Sequence, residues 1–241
     1  GVGPGADRSI RSAKTLPTEL NDDLIAVTDA VEEDAQTDRL VVFNDGSAAI
    51  QSGIITEDNI SGFDMGSTDL VLNFGTVAVP DFQTFEAGIN YGELEVVELL
   101  LGSNTDTLII ESTAEDALTV VHGGGGDDNI RVAVTGGSST ATVGGANRTL
   151  AIFGDTTQDG QRYNSRTDAI DGSGREFAAG GADTIDVSAA DGFVIVSGGV
   201  GSDTITGSDF NDHLLGGSGG DIIDGLAGND HIYGDNGLNI D

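Results

Sequence analysis

Cysteine and tryptophan are absent from this chain of 241 residues, proline occurs 3 times and methionine once. Without cysteine no disulfide can staple the fold and no thiolate site can hold zinc. Aromatic residues make up only 5%, too few to dominate the core of a large compact domain. Positive charge is scarce as well: 9 Lys and Arg stand against 41 Asp and Glu, for a formal net charge of −32. Such a chain repels nucleic acid and anionic membrane surfaces and attracts divalent cations. No apolar run approaches the roughly 20 residues of a membrane-spanning helix, so direct membrane insertion is not expected. The start, GVGPGADRSIRSAKTLPTEL, has neither an initiator Met nor the apolar segment of a secretory signal, and reads as part of a longer or processed chain.

What the chain has is glycine, 38 residues of it, and from Gly198 the glycines fall in order. Gly198–Thr206 reads GGVGSDTIT, Gly207–Leu215 GSDFNDHLL, Gly216–Asp224 GGSGGDIID and Gly225–Tyr233 GLAGNDHIY. Gly opens each block, Asp holds the sixth position (Asp203, Asp212, Asp221, Asp230) and an aliphatic the eighth (Ile205, Leu214, Ile223, Ile232). A low-complexity linker would not hold these residues in phase. Glycines permit a tight turn in which carbonyls converge, and the short strand after the Asp buries one aliphatic side chain. Nine residues make half a coil, so turns on one edge recur every eighteen residues, Asp203 over Asp221 and Asp212 over Asp230.

Each gap between stacked turns then gathers two carboxylates and several main-chain carbonyls. These are hard oxygen donors of the kind that suit Ca2+, which takes six to eight oxygens. The donors expected there are Gly198, Gly199, Val200, Gly201 and Asp203 against Gly216, Gly217, Ser218, Gly219 and Asp221, and on the other edge Asp209 and Asp212 against Gly225, Ala227 and Asp230. A third gap, between 216–221 and 234–239, would be weaker because Asn239 stands where Asp would bring charge. His213 and His231, also eighteen apart, read either as a surface metal pair or as outward-facing polar residues on stacked strands.

Upstream, residues 1–20 read as an irregular lead-in and 21–92 as an irregular β region. That region has a strand at 24–27, an acidic stretch at 29–38, a hairpin at 39–50 turning at Asp45–Gly46, and strands at 69–74 and 77–79. From Glu93 a longer period begins: LLLGSNTDTLII (99–110) and VHGGGGDDNIRV (121–132) align at an offset of 22, Asp106 on Asp128 and Leu108 on Ile130. A degenerate solenoid is therefore expected over 93–197, with an insertion near 154–182. Asp106 and Asp128 read equally as stacked ligands or as turn caps. Asp155, Thr157, Asp159 and Gly160 fit the first half of an EF-hand loop, but Arg166 stands where the bidentate Glu belongs. Asp155 and Asp159 thus belong either to a calcium-loaded insertion or to a polar surface loop. Asp183, with Ile185 two residues on, re-enters the phase of the repeats.

The blocks GGVGSDTIT, GGSGGDIID and GLAGNDHIY resemble the RTX calcium-binding β-roll. More loosely, 93–197 is similar to the repeat arrays of giant bacterial surface and secreted proteins of that superfamily. The resemblance implies an all-β parallel β-solenoid with Ca2+ in the turns, extracellular or cell-surface life, and type I export with folding on reaching calcium. Phe210 at the fourth position of its block, Val194 beneath Asp212, and Asn239 depart from the pattern. The function expected is a calcium-rigidified structural or adhesive module of a large extracellular bacterial protein. The alternative is the secretion and folding tail of a type I-secreted enzyme such as a protease or lipase. No catalytic role is expected within this chain, which contains neither H-E-x-x-H nor G-x-S-x-G. Its expected partners are calcium ions and further copies or neighbouring repeats of the same protein.

Residues 176–241 carry twelve acids and no Lys or Arg. Burying one aliphatic per block contributes about 1.5–3 kcal/mol, whereas ordering nine backbones costs about 9–18 kcal/mol. Cation binding is therefore expected to drive folding here. In hydrogen exchange, amides of 198–233 should be protected in millimolar calcium and exchange freely in chelator; protection that persists in EDTA would refute the switch. Within the segment, Asp221→Ala is expected to weaken calcium binding more than Asp203→Ala, since Asp221 has a repeat on either side.

Overall fold

The computed structural model describes residues 37–133, 141–155 and 180–234. The lead-in 1–20, the strand expected at 24–27, most of the acidic stretch 29–38, Asp159 and Asn239 lie outside the described residues. Apart from Thr37, the described residues fall in one compact unit, Asp38–Asp241.

The strands in chain order are β1 (Arg39–Phe43), β2 (Ser52–Ile55), β3 (Asn59–Gly62), β4 (Leu70–Asn73), β5 (Phe82–Phe85), β6 (Ile89–Asn90), β7 (Val96–Leu100), β8 (Thr107–Ile110) and β9 (Ala117–His122). They continue with β10 (Asn129–Val132), β11 (Arg148–Phe153), β12 (Thr184–Asp186), β13 (Val194–Gly201), β14 (Thr204–Thr206), β15 (His213–Gly219), β16 (Ile222–Asp224) and β17 (His231–Tyr233). The order in the first sheet is β1-β7-β9-β11-β13-β15-β17, parallel throughout. The second runs β16-β14-β12-β10-β8-β2, also parallel, and ends in the antiparallel β3 and β6. The chain thus alternates between two facing sheets, one strand to each per coil. This is a parallel β-solenoid, the all-β class expected from the repeats.

Side-chain alternation explains the core. In the second sheet Leu108, Ile130, Ile185 and Ile205 pair in register across successive strands, and all are buried. Opposite them, Val97, Leu99, Val121, Leu150, Ile152, Val194, Val196 and Leu214 fill the inner face of the first sheet. The offset of 22 is therefore real: Leu108 lies beside Ile130. At Ile223 the core thins to a partly buried side chain, and Ile232 is 47% exposed.

Two upstream expectations change. Residues 39–50 are not a hairpin: β1 pairs in parallel with β7, and the turn at Asp45–Gly46 leads into the first coil. Among the described residues the coil is therefore already present at Arg39, ahead of Glu93. The alternation in RLVVF is compatible with either partner, and only β7, far along the chain, decides between them. Between β2 and β7 the chain makes an excursion in which β3 runs antiparallel along β2, covering the edge where that sheet begins. Residues 77–79 are not a strand but part of the turn joining β4 to β5, a two-stranded sheet of its own. This hairpin exposes Leu70, Val71, Phe74, Val77 and Phe82.

The burial gradient orders the cost of truncation. Ile205→Ala should destabilise the calcium-loaded fold by about 2–5 kcal/mol, and Ile223→Ala by distinctly less, since Ile223 is only partly buried. Equal shifts in denaturation midpoint would contradict the gradient.

Candidate metal centre

Each crossing from the first sheet to the second turns on the same edge, and along that edge runs a ladder of aspartates. The amide of one aspartate donates to Oδ1 of the next, one coil on: Asp106 to Asp128 at 2.7 Å, Asp128 to Asp183 at 2.8 Å, Asp183 to Asp203 at 2.9 Å and Asp203 to Asp221 at 3.0 Å. Gln51 occupies the first rung and donates to Asp106 Oδ1 at 2.8 Å. The sequence separations are 55, 22, 55, 20 and 18 from the Gln51 rung to the Asp221 rung. Coil size varies threefold while the bond is unchanged. Each rung is closed from behind, as the aspartate carbonyl accepts from the amide that follows its partner: Asp128 from Thr184 and Asp203 from Ile222, both at 2.8 Å.

Oδ1 is thereby satisfied and Oδ2 is left over. In Asp128, Asp183 and Asp203, 2%, 1% and 0% exposed, Oδ2 is buried with no hydrogen-bond partner. A buried carboxylate oxygen without a donor is costly unless a cation meets it. Burial pushes the Asp128 carboxyl up to about 9 and Asp183 to about 8, against the opposing effect of the ladder hydrogen bonds and with neighbouring aspartates adding to the rise. Asp155, also buried, is raised to about 6 by burial, although the amides of Val200 and Gly181 donate to it. Asp203 is raised too, by burial first and the charge of Asp221 second.

The main chain completes the arrangement. A Cβ placed on Gly198 would collide with Asp203 Oδ2 and with the carbonyl oxygen of Gly216, one coil on, and one on Gly216 with Asp221 Oδ2 and the carbonyl of Gly234. Glycine is required at these positions so that carboxylate and carbonyl oxygens can crowd together. Gly199 pairs with Gly217, Val200 with Ser218 and Gly201 with Gly219 across β13 and β15, bringing the two expected donor sets into register. Among the described residues no three acidic or His side chains gather as a metal group. A cation here must draw on carbonyls, which is calcium's habit.

The opposite edge is different. Asp212 and Asp230 do stack, Asp212 donating its amide to Asp230 Oδ1 at 3.0 Å, and Val194 stands beneath with its amide on Asp212 Oδ1 at 2.9 Å. Asp212 Oδ2, however, already accepts the Ser208 amide at 2.6 Å and the Ser208 hydroxyl at 3.0 Å. Gly225 lies against Asp230 Oδ2, while Asp209 and Ala227 are exposed. His213 and His231 are paired neighbours with ring centroids 5.9 Å apart, both exposed on the outer face.

Three features were missed in the sequence. The Ser208 hydroxyl grips Asp212, and serine at a glycine position was the available signal. Glu98 and His122 form a buried pair at 3.0 Å, which Arg39 joins, tying β1, β7 and β9 together. Asp203 also has an aspartate rung on both sides, because Asp183 lies beneath it. The expected ranking therefore reverses: Asp203→Ala should cost more than Asp221→Ala, as Asp203 is fully buried and Asp221 is not.

Residues 177–214, 197–232 and 206–240 match the RTX calcium-binding nonapeptide repeat, with 4 copies. The C-terminal region is an RTX repeat module. It binds Ca2+, and the orphaned Oδ2 atoms with the converging glycine carbonyls fit that ion. No curated protein and no solved structure matches the chain.

The aspartate ladder also fixes the sign of a pH effect. Unfolded aspartates titrate at about 3.9, whereas folded, metal-free Asp155, Asp183 and Asp128 titrate at about 6, 8 and 9. Between those limits the metal-free fold holds more protons than the unfolded chain, so its stability falls as pH rises. In chelator, Tm should be higher near pH 5 than above pH 8; in millimolar calcium, which replaces those protons, the fall should shrink or vanish. A Tm that climbs with pH in chelator would show that the carboxylates ionise freely in the fold.

Proposed function

We propose that the chain is a calcium-rigidified structural or adhesive module of a large extracellular bacterial protein, a stiff segment that folds on Ca2+ binding after secretion. The observation that carries this reading is continuity. The parallel first sheet runs from β1 to β17 and the aspartate ladder crosses without a break from the large coils to the RTX coils. A separate secretion tail would not need its rungs bonded into everything upstream. RTX repeats are typical of type I-secreted extracellular bacterial proteins, which supports export before folding. The apolar residues that β4 and β5 expose suit contacts with further copies or neighbouring repeats. No catalytic step is assigned to the chain: most of its buried aspartates stand in or beside the ladder, Asp212 is held by Ser208, and buried Glu98 pairs with His122 and Arg39.

A module of this kind resists extension only when its gaps are filled. Stretched between two handles in a force measurement, the chain should unfold at markedly higher force in millimolar calcium than in EDTA. Equal forces in the two conditions would remove the structural role.

A further inference from the structure

The orphaned oxygens do not stop where the nonapeptides stop. Residues matching the repeat begin at 177, yet Asp128, well upstream, has the same buried and unpartnered Oδ2 as Asp203. Its surroundings are the same too. A Cβ on Gly123 would meet Asp128 Oδ2 at 2.8 Å and collide with the carbonyl oxygen of Gly154, one coil on. A Cβ on Gly154 would collide with Asp183 Oδ2 and the carbonyl oxygen of Gly198. These two tiers reproduce the pairing of Asp203 Oδ2 with the Gly216 carbonyl in the RTX coils. They do so without the nonapeptide spacing, since the adjacent rungs Asp128 and Asp183 are 55 residues apart in the chain.

One rung further the pattern breaks. Asp106 has both oxygens engaged: Oδ1 accepts the Gln51 amide and Oδ2 the amide of Gly102 in its own turn at 2.9 Å. Of the two readings open for these residues, Asp106 is a turn cap and Asp128 is not.

We propose that the calcium ladder extends one tier beyond the matched repeats, from the Asp183–Gly198 tier at their start to a new site at Asp128–Gly154, and that it ends before Asp106. The ligands are the free Oδ2 atoms and main-chain carbonyls, a set that favours Ca2+ over the smaller, strictly octahedral Mg2+. In the Asp183 tier the carboxylate of Asp155 adds charge beside the gap, with Asp155 donated to by Gly181 and Val200 at 3.0 and 2.8 Å. The RTX loops have glycine at the equivalent point, and affinity for Ca2+ grows with ligand charge. This inference rests on calcium binding by the repeats and not on the structural role proposed above, so its failure leaves that role standing.

Bound calcium is counted by equilibrium dialysis on the full chain and on D128N and D106N. Asn keeps the Oδ1 acceptor that the ladder amide needs and removes the charge. D128N should bind one Ca2+ fewer than the wild type, and D106N the same number. An unchanged count in D128N, or an equal loss in D106N, would overturn the proposal. A second variant keeps every carboxylate: in G123A a methyl stands against Asp128 Oδ2 and the Gly154 carbonyl oxygen, and one Ca2+ fewer than in the wild type is again expected. A full count in G123A would overturn the proposal as well.

Discussion

The structure depends on one shared carboxylate. Each ladder aspartate gives Oδ1 to the amide of the coil before it, and Asp128, Asp183 and Asp203 keep Oδ2 for the interior. The first contact fixes the coil-to-coil register as firmly as a backbone hydrogen bond does. The second makes that register expensive without a cation, because a buried anion with an empty lone pair is among the least tolerated groups in a protein. At those three rungs, assembly and metal dependence therefore come from two oxygens of the same side chain.

Around that constraint the rest of the fold is simple. The core is a file of aliphatic residues, one or two per strand, and their burial would not by itself order so many glycine-rich turns. Glycines recur where carboxylate and carbonyl oxygens must crowd together, and a side chain at those points would block both. Where a glycine is replaced, the metal chemistry changes with it. Ser208 fills the Asp212 carboxylate with protein donors, so the two edges of the same repeats are not equivalent.

The RTX coils were legible in the sequence because pattern and contact share one period: Asp203 and Asp221 are eighteen apart in the chain and adjacent in space. The 22-residue coils were legible for the same reason, from Asp106 and Asp128. Legibility failed where a rung spans 55 residues, at Gln51 to Asp106 and Asp128 to Asp183, since no local period can reveal a partner so far off. For the same reason the local pattern alone makes β1 half of a hairpin, although its partner is β7. Whether a stacked aspartate is a ligand or a cap was equally hidden, as it turns on where one amide hydrogen points, Gly102 bonding its own aspartate while the equivalent atoms at Asp128 stay apart.

The indifference of the ladder to coil size has its own consequence. The rungs Asp128–Asp183 and Asp183–Asp203 have the same geometry although their partners are 55 and 20 residues apart. The two sheets behave like a ruler whose marks are set by backbone and carboxylate, with the turns as hooks along its edge. Material hung on a hook alters what the surface displays and not the spacing of the marks. Sequence can therefore diversify at the turns while the calcium-bearing frame stays the same, which separates what such a module presents from what holds it together.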